Sequence, residues 1–172
     1  MSPCECCRPS DASVISGGVP QMSSLEQMKH MADKQAPPLL EQLMKDPHNK
    51  ELLVHIAYTY KPAHQFKDAA AYFERELQQD PNNVALRTET ASCLYYNGDV
   101  DGALGQIRLS LKTDLKDANS LFNLGMILWN GKNDAKGDDS AWGRLLETNP
   151  TLRRRPIVEQ MIADARRQEN AK

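Results

Sequence analysis

From Lys50 to Pro81 the apolar positions fall at Leu53, Ile56 and Tyr60, small residues follow at Ala57 and Ala69, and Phe73 precedes the closing proline. Recurrence at three- and four-residue steps, interrupted by one turn, predicts two antiparallel helices. Small residues let the pair approach closely, and the larger ones fill the grooves beside them. The next unit, Val84 to Leu115, repeats the small residues at Ala91 and Ala103 and adds a turn at Gly98-Asp99, but Arg87 and Thr90 stand where the pattern prefers large apolar residues. A third unit, Ala118 to Pro150, has Leu121, Leu124, Gly125 and Leu128 in register and about one extra residue in its turn. The units are phased by two Asp-Pro-x-Asn phrases whose prolines, Pro47 and Pro81, are 34 residues apart (81 − 47).

Ahead of these units, Ser23 or Ser24 can cap a helix that carries Glu26 or Gln27 in its first turn and runs through Leu25, Met28 and Met31. Pro37-Pro38 predicts a break, followed by a second helix with an apolar face of Leu39, Leu40, Leu43 and Met44. Met28 and Met31 are expected in the core rather than at a soft-metal site with His30. After the third unit, Pro156 suits a helix's first turn, and Ile157, Val158, Met161, Ile162 and Ala165 form the face of a C-terminal capping helix. Nine helices are expected in all. Domain bounds follow: a disordered tail over 1–22, a capping half-repeat over 23–49, the array over 50–150 and the cap over 151–172. An array needs such caps because each repeat alone leaves an apolar face exposed.

A spacing of 34 residues together with this pattern resembles the tetratricopeptide repeat (TPR) family over roughly 36–150. The resemblance implies an all-α, TPR-type helical-hairpin solenoid of about three repeats, with an N-terminal half-repeat and a C-terminal capping helix. It also implies a protein-interaction scaffold that holds a peptide or partner helix in a concave groove lined by the first helix of each pair. The exposed positions there are Val54, His55 and Tyr58, with Glu51, on the first such helix. Thr88, Ser92 and Tyr95, with Glu89 and Tyr96, follow on the second, and Asn119, Phe122, Asn123, Met126 and Trp129 on the third. Tyr and Trp offer large contact area at low entropy cost, and Asn can pair with a peptide backbone. Phe122, Met126 and Trp129 could equally serve packing between repeats. TPR domains that clamp the carboxylate tails of large chaperones use Lys, Arg and Asn, whereas the corresponding places here carry Val54, Tyr58, Asn119 and Asn123. That recognition mode is not expected.

The phrases LLEQLMKDPHNKELLVHIAYTY, FKDAAAYFERELQQDPNN, NLGMILW and AWGRLLETNP resemble the TPR modules of bacterial cytochrome c biogenesis factors. That likeness implies unfolded apocytochrome or haem-ligation components as partners. The competing reading is a self-assembling adaptor that uses its exposed Met and aromatic faces.

Charge and chemistry narrow the picture further. With 21 basic and 23 acidic residues, the chain presents no strong field for nucleic acid. No apolar run approaches the roughly 20 residues of a membrane span, so no membrane insertion is expected. The N-terminus lacks the pattern of a signal peptide. The expected address is cytoplasmic, or periplasmic or membrane-associated if a signal or anchor is missing. Cys4 and Cys7 form a C-x-x-C, but Arg8 follows where haem attachment needs His, and no second pair completes a zinc site. Neither cofactor nor metal is expected, and Cys93 reads as a small buried hydrophobe. His30, His48, His55 and His64 form no H-E-x-x-H pair, and no phosphate loop or nucleophile elbow is present. Glu51, His55 and Tyr58 share a helix face, which reads more simply as a solvated face than as an acid-base cluster. No enzymatic activity is expected. Arg153, Arg154 and Arg155 could grip an acidic partner or phosphate, or complement the negative end of the preceding helix, where cations gain roughly 0.3–1 kcal/mol each.

Overall fold

The computed structural model describes residues 23–132 and 135–170. The expected tail, with Cys4, Cys6 and Cys7, lies outside the described residues. Eight α-helices follow one another: α1 (Ser24–Lys45), α2 (Lys50–Tyr60), α3 (Phe66–Leu77), α4 (Val84–Tyr96), α5 (Val100–Thr113), α6 (Ala118–Ile127), α7 (Ala135–Thr148) and α8 (Arg155–Asn170). Each packs against the next, giving the hairpin solenoid expected, with pairs α2/α3, α4/α5 and α6/α7.

Local chemistry explains where the helices start. Asn49 and Asn83 of the two Asp-Pro-x-Asn phrases accept at 3.0 Å from the amides of Leu52 and Leu86, capping α2 and α4. Asp99 and Asp117 cap α5 and α6 in the same way, accepting from Gly102 and Ser120. Between α2 and α3 the chain passes through a 3₁₀ turn, Lys61–Ala63, and through His64 in the left-handed region at φ 59°. Between α4 and α5 Gly98 turns at φ 91°, a conformation open to glycine without steric cost. α6 runs on into a π-helical turn, Leu128–Lys132.

The predicted N-terminal break is absent, and this brings the described helices to eight rather than nine. α1 continues through Pro37 and Pro38 to Lys45, opened by a reciprocal capping box of Ser23 and Glu26. Both prolines lie on the exposed face, as do Asp33 and Lys34, whose carbonyls forfeit their helical partners. Water can replace those bonds, while Ala32, Ala36 and Leu43 hold the helix by burial on the other side. The stripe is also rotated from expectation. Met28 and Met31 are 44% and 51% exposed, Met44 is exposed, and Ile157 on α8 is exposed as well.

The core forms three linked clusters. Leu43, Leu53 and Ile56 lie at the start, Ala57, Ala69, Phe73, Leu86 and Cys93 in the middle, and Ile107, Leu121, Trp142, Leu145 and Val158 towards the end. The small residues read as contact points, Ala57, Ala69, Ala91 and Ala103, are all 0% exposed. Cys93 is fully buried as expected, and burial pushes its thiol up to about 11.

Glu76 on α3 is an exception to apolar burial. It is 4% exposed, and its Oε2, like Nε2 of the nearby Gln79, has no hydrogen-bond partner among the described residues. Burial raises its pKa above the ordinary carboxylate value, with Lys50 pulling the other way and Asp80 adding to the rise. The native state therefore binds this proton more tightly than the unfolded chain. Between the unfolded and the raised native pKa, stability from this group increases as pH falls, and below the unfolded value it changes no further. Glu76→Gln is expected to remove that slope. Urea unfolding of the two proteins at a series of pH values from 7 down to the unfolded carboxylate pKa, about 4.5, checks it. Parallel curves would contradict the assignment.

Candidate functional site

α4 and α6 lie side by side and leave a furrow lined by Ser92, Tyr95 and Tyr96 from one and Phe122, Asn123 and Met126 from the other, floored by Ile127. Helical spacing explains the set. Ser92, Tyr95 and Tyr96 are related by three and four residues, as are Phe122, Asn123 and Met126, so each trio shares one face. The furrow encloses about 70 Å³. That is below the 300–1,000 Å³ of a typical small-molecule pocket and is of side-chain size. Six of the positions read from the sequence meet there: Ser92, Tyr95, Tyr96, Phe122, Asn123 and Met126.

Aromatic rings extend the surface towards the first repeat. Tyr95 meets Tyr96 edge-on at 5.3 Å, Tyr96 stacks on Phe66 at 5.1 Å, and Phe66 stacks on His64 at 5.2 Å. Lys61 beside them is paired with Glu89. Polar side chains of the furrow are not consumed internally: Ser92 and Asn123 form no side-chain hydrogen bond with the described residues, nor does Asn119 one turn earlier on α6.

His55 and Tyr58 lie further along, in a separate hollow with Met28, Met31 and Gln35 of α1 and Pro62. The Tyr58 ring stands edge-on to Phe73 at 5.2 Å, and its phenol is held above its ordinary pKa, mainly by burial and next by Glu89. Near neutral pH it is a hydroxyl donor rather than a phenolate. Val54 is half-buried against the middle core cluster, and Asn119 is exposed on α6.

Two candidates are placed otherwise than the helix pattern suggests. Thr88 is 5% exposed, so it is not a groove residue. Its Oγ1 donates to the Val84 carbonyl at 2.9 Å and lies 2.9 Å from Ser120 Oγ, which is 2.8 Å from Ser110 Oγ. Thr88, Ser110 and Ser120 form a hydroxyl triangle that joins α4, α5 and α6. No spacing rule pairs residues 22 and 32 positions apart, which is why the triangle escapes sequence reading. Trp129 is half-buried, edge-on to Trp142 at 5.6 Å, with its indole N–H donating to Gln168 Oε1 at 3.1 Å. Its ring serves packing between the third repeat and α8. Phe122 and Met126 do both, touching the core while lining the furrow.

Arg155 donates to the Leu146 carbonyl at 3.2 Å, so one of the three arginines does serve the end of α7. Arg153 and Arg154 do not, and Arg154 instead sits 5.1 Å over the Phe122 ring. Among the described residues no group of three His, Cys, Asp or Glu side chains could hold a metal ion, and no helix is long and apolar enough to cross a membrane.

The family model of the tetratricopeptide repeat matches residues 63–121, from the turn before α3 into α6. The chain has a tetratricopeptide-repeat fold. Solved structures agree along most of its length. A crystal structure of MamA protein superposes with a TM-score of 0.69 at 15% identity, covering 86% of this chain and 83% of that one. The Yersinia enterocolitica type III secretion translocator chaperone SycD gives 0.64 at 16% identity, over 70% and 85%. The first TPR domain of human RPAP3 gives 0.64 at 17%, over 73% and 98%. No curated protein matches the sequence significantly. At such identities the TPR structures share an architecture, and the furrow side chains are this chain's own.

Proposed function

We propose that the chain is a protein-interaction scaffold that holds a peptide segment against the α4/α6 furrow. The supporting observation is a side-chain-sized apolar hollow edged by amide and hydroxyl groups that have no internal partner, on the face where a TPR array presents the first helix of each pair. An extended or helical segment would seat one apolar side chain between Phe122 and Tyr95 and satisfy its backbone on Asn119, Asn123 and Ser92. SycD bears the name of a chaperone for a translocator, and a related use of the fold is consistent with this reading.

Tyr95→Ala and Phe122→Ala are each expected to weaken capture of a partner about tenfold, the loss typical of an aromatic anchor. Helicity by circular dichroism stays near the parent value. The experiment is affinity capture from extract with the parent and both variants side by side. Proteins retained equally by all three would count against the furrow. Trp129→Ala belongs to a different class, because its ring supports α8 and its loss should reduce stability as well.

The named partner suggested by the sequence phrases is apocytochrome or a haem-ligation component. Enrichment of c-type cytochromes in the captured set would support it, and an unrelated set would remove it. A second reading, a self-assembling adaptor, draws on the exposure of Met28, Met31 and Met44 along α1. A light-scattering mass that stays monomeric over two protein concentrations would exclude it.

A further inference from the structure

Resting on the furrow reading, we infer that the held segment is acidic: an apolar or aromatic side chain sits between α4 and α6, and carboxylates beside it meet Arg153 and Arg154.

The turn between α7 and α8 brings Arg154 to the edge of the furrow, with Arg153 in the adjoining hollow. The Arg154 guanidinium lies 5.1 Å from the ring centroid of Phe122, the same ring that lines the furrow. Arg153 and Arg154 border a hollow with Asn149, Thr151, Leu152 and Ile157, where no side chain is acidic. Neither guanidinium forms a hydrogen bond or ion pair with the described residues.

Other cations near this surface are already engaged. Lys61 is paired with Glu89, Arg87 donates to Gln106 and to the Pro81 carbonyl, Lys132 pairs with Asp101, and Arg155 pairs with Glu159. Arg153 and Arg154 thus place two guanidiniums without a carboxylate partner in this hollow, in a chain of net charge −2. A cation over an aromatic face keeps its edge N–H groups free for an anion. Ile157, 60% exposed, continues the apolar surface past the arginines. A segment with apolar residues and neighbouring Asp or Glu matches both features, whereas a basic one would be repelled at this edge.

The test uses short random peptides displayed on phage, selected against the full chain. Enrichment of Asp and Glu beside Phe, Leu, Trp or Met is expected. The strongest peptide, labelled and followed by fluorescence anisotropy, should bind about tenfold more weakly to Arg153→Ala/Arg154→Ala, as two exposed ion pairs would give, and also more weakly as salt rises. Arg108→Ala, an exposed change on α5 away from the furrow, should leave binding unaltered. Selected peptides without acidic enrichment, or with equal affinity for the double variant, would overturn the inference while sparing the furrow. Selection of no peptide, or of peptides indifferent to Phe122→Ala, would overturn the furrow reading and this inference together.

Discussion

Gly125→Ala is expected to destabilise the chain by about 3 kcal/mol, combining the strain of overpacking with a weakened hydrogen bond. Gly125 is buried in α6 with the Trp142 indole directly against its Cα. An added Cβ would collide with Nε1 and lie 2.6 Å from Cδ1. The indole has little room to yield. It is 0% exposed, its N–H donates to the Phe122 carbonyl at 3.2 Å, and Trp129 closes on it from one side. Urea unfolding of the variant measures the cost, and a change below about 1 kcal/mol would mean that the indole yields freely to the added methyl. A sharper check is the pair. With Trp142→Ala already in place the collision is gone, so Gly125→Ala should then cost little, and the difference between the two backgrounds is the coupling energy.

Phe73→Ala is expected to cost about 4 kcal/mol, within the range for deleting a fully buried aromatic ring. Phe73 on α3 is 0% exposed and joins Ala57, Ala69, Leu77, Leu86 and Cys93 into the cluster that connects the first two repeats. Three of those neighbours are too small to collapse into the void. Because a repeat array is stabilised by nearest-neighbour interfaces, the loss should be localised. Hydrogen exchange should accelerate in α2 and α3 while α6 to α8 remain protected. Uniform acceleration along the chain would instead show that the array unfolds as one unit. Phe73→Leu, closer in volume, should cost roughly 1 kcal/mol.

Much of the architecture was legible because its causes are local. The 34-residue phasing of the Asp-Pro-x-Asn phrases sets the repeats, Gly98-Asp99 announces a turn, and the alanines at 57, 69, 91 and 103 mark close helix approaches. The run of α1 through Pro37-Pro38 was not legible for the same reason. A proline rule counts the lost hydrogen bonds but cannot see that the affected carbonyls face water while Ala32, Ala36 and Leu43 are buried elsewhere. Within the candidate site, three- and four-residue spacing aligned Phe122, Asn123 and Met126 on one face, and the TPR resemblance implied that Tyr95 on the neighbouring first helix shares their surface. It was not enough for Thr88 or Trp129. Their roles depend on Ser110, Ser120, Trp142 and Gln168, which reach them only through the fold. The approach of Gly125 to Trp142 lies between these cases. A glycine at a small-residue position signals contact, but its partner, 17 positions on (142 − 125), is set by the π-helical turn and the course of α7.

The hydroxyl triangle of Thr88, Ser110 and Ser120 bears on recognition as well as packing. It ties together the two helices that form the walls of the furrow, and buried directional bonds hold one geometry where apolar contacts alone would tolerate sliding. The mould is thus set before any ligand arrives. A partner would spend little on reshaping its host, and discrimination would rest on the fit of the incoming side chain.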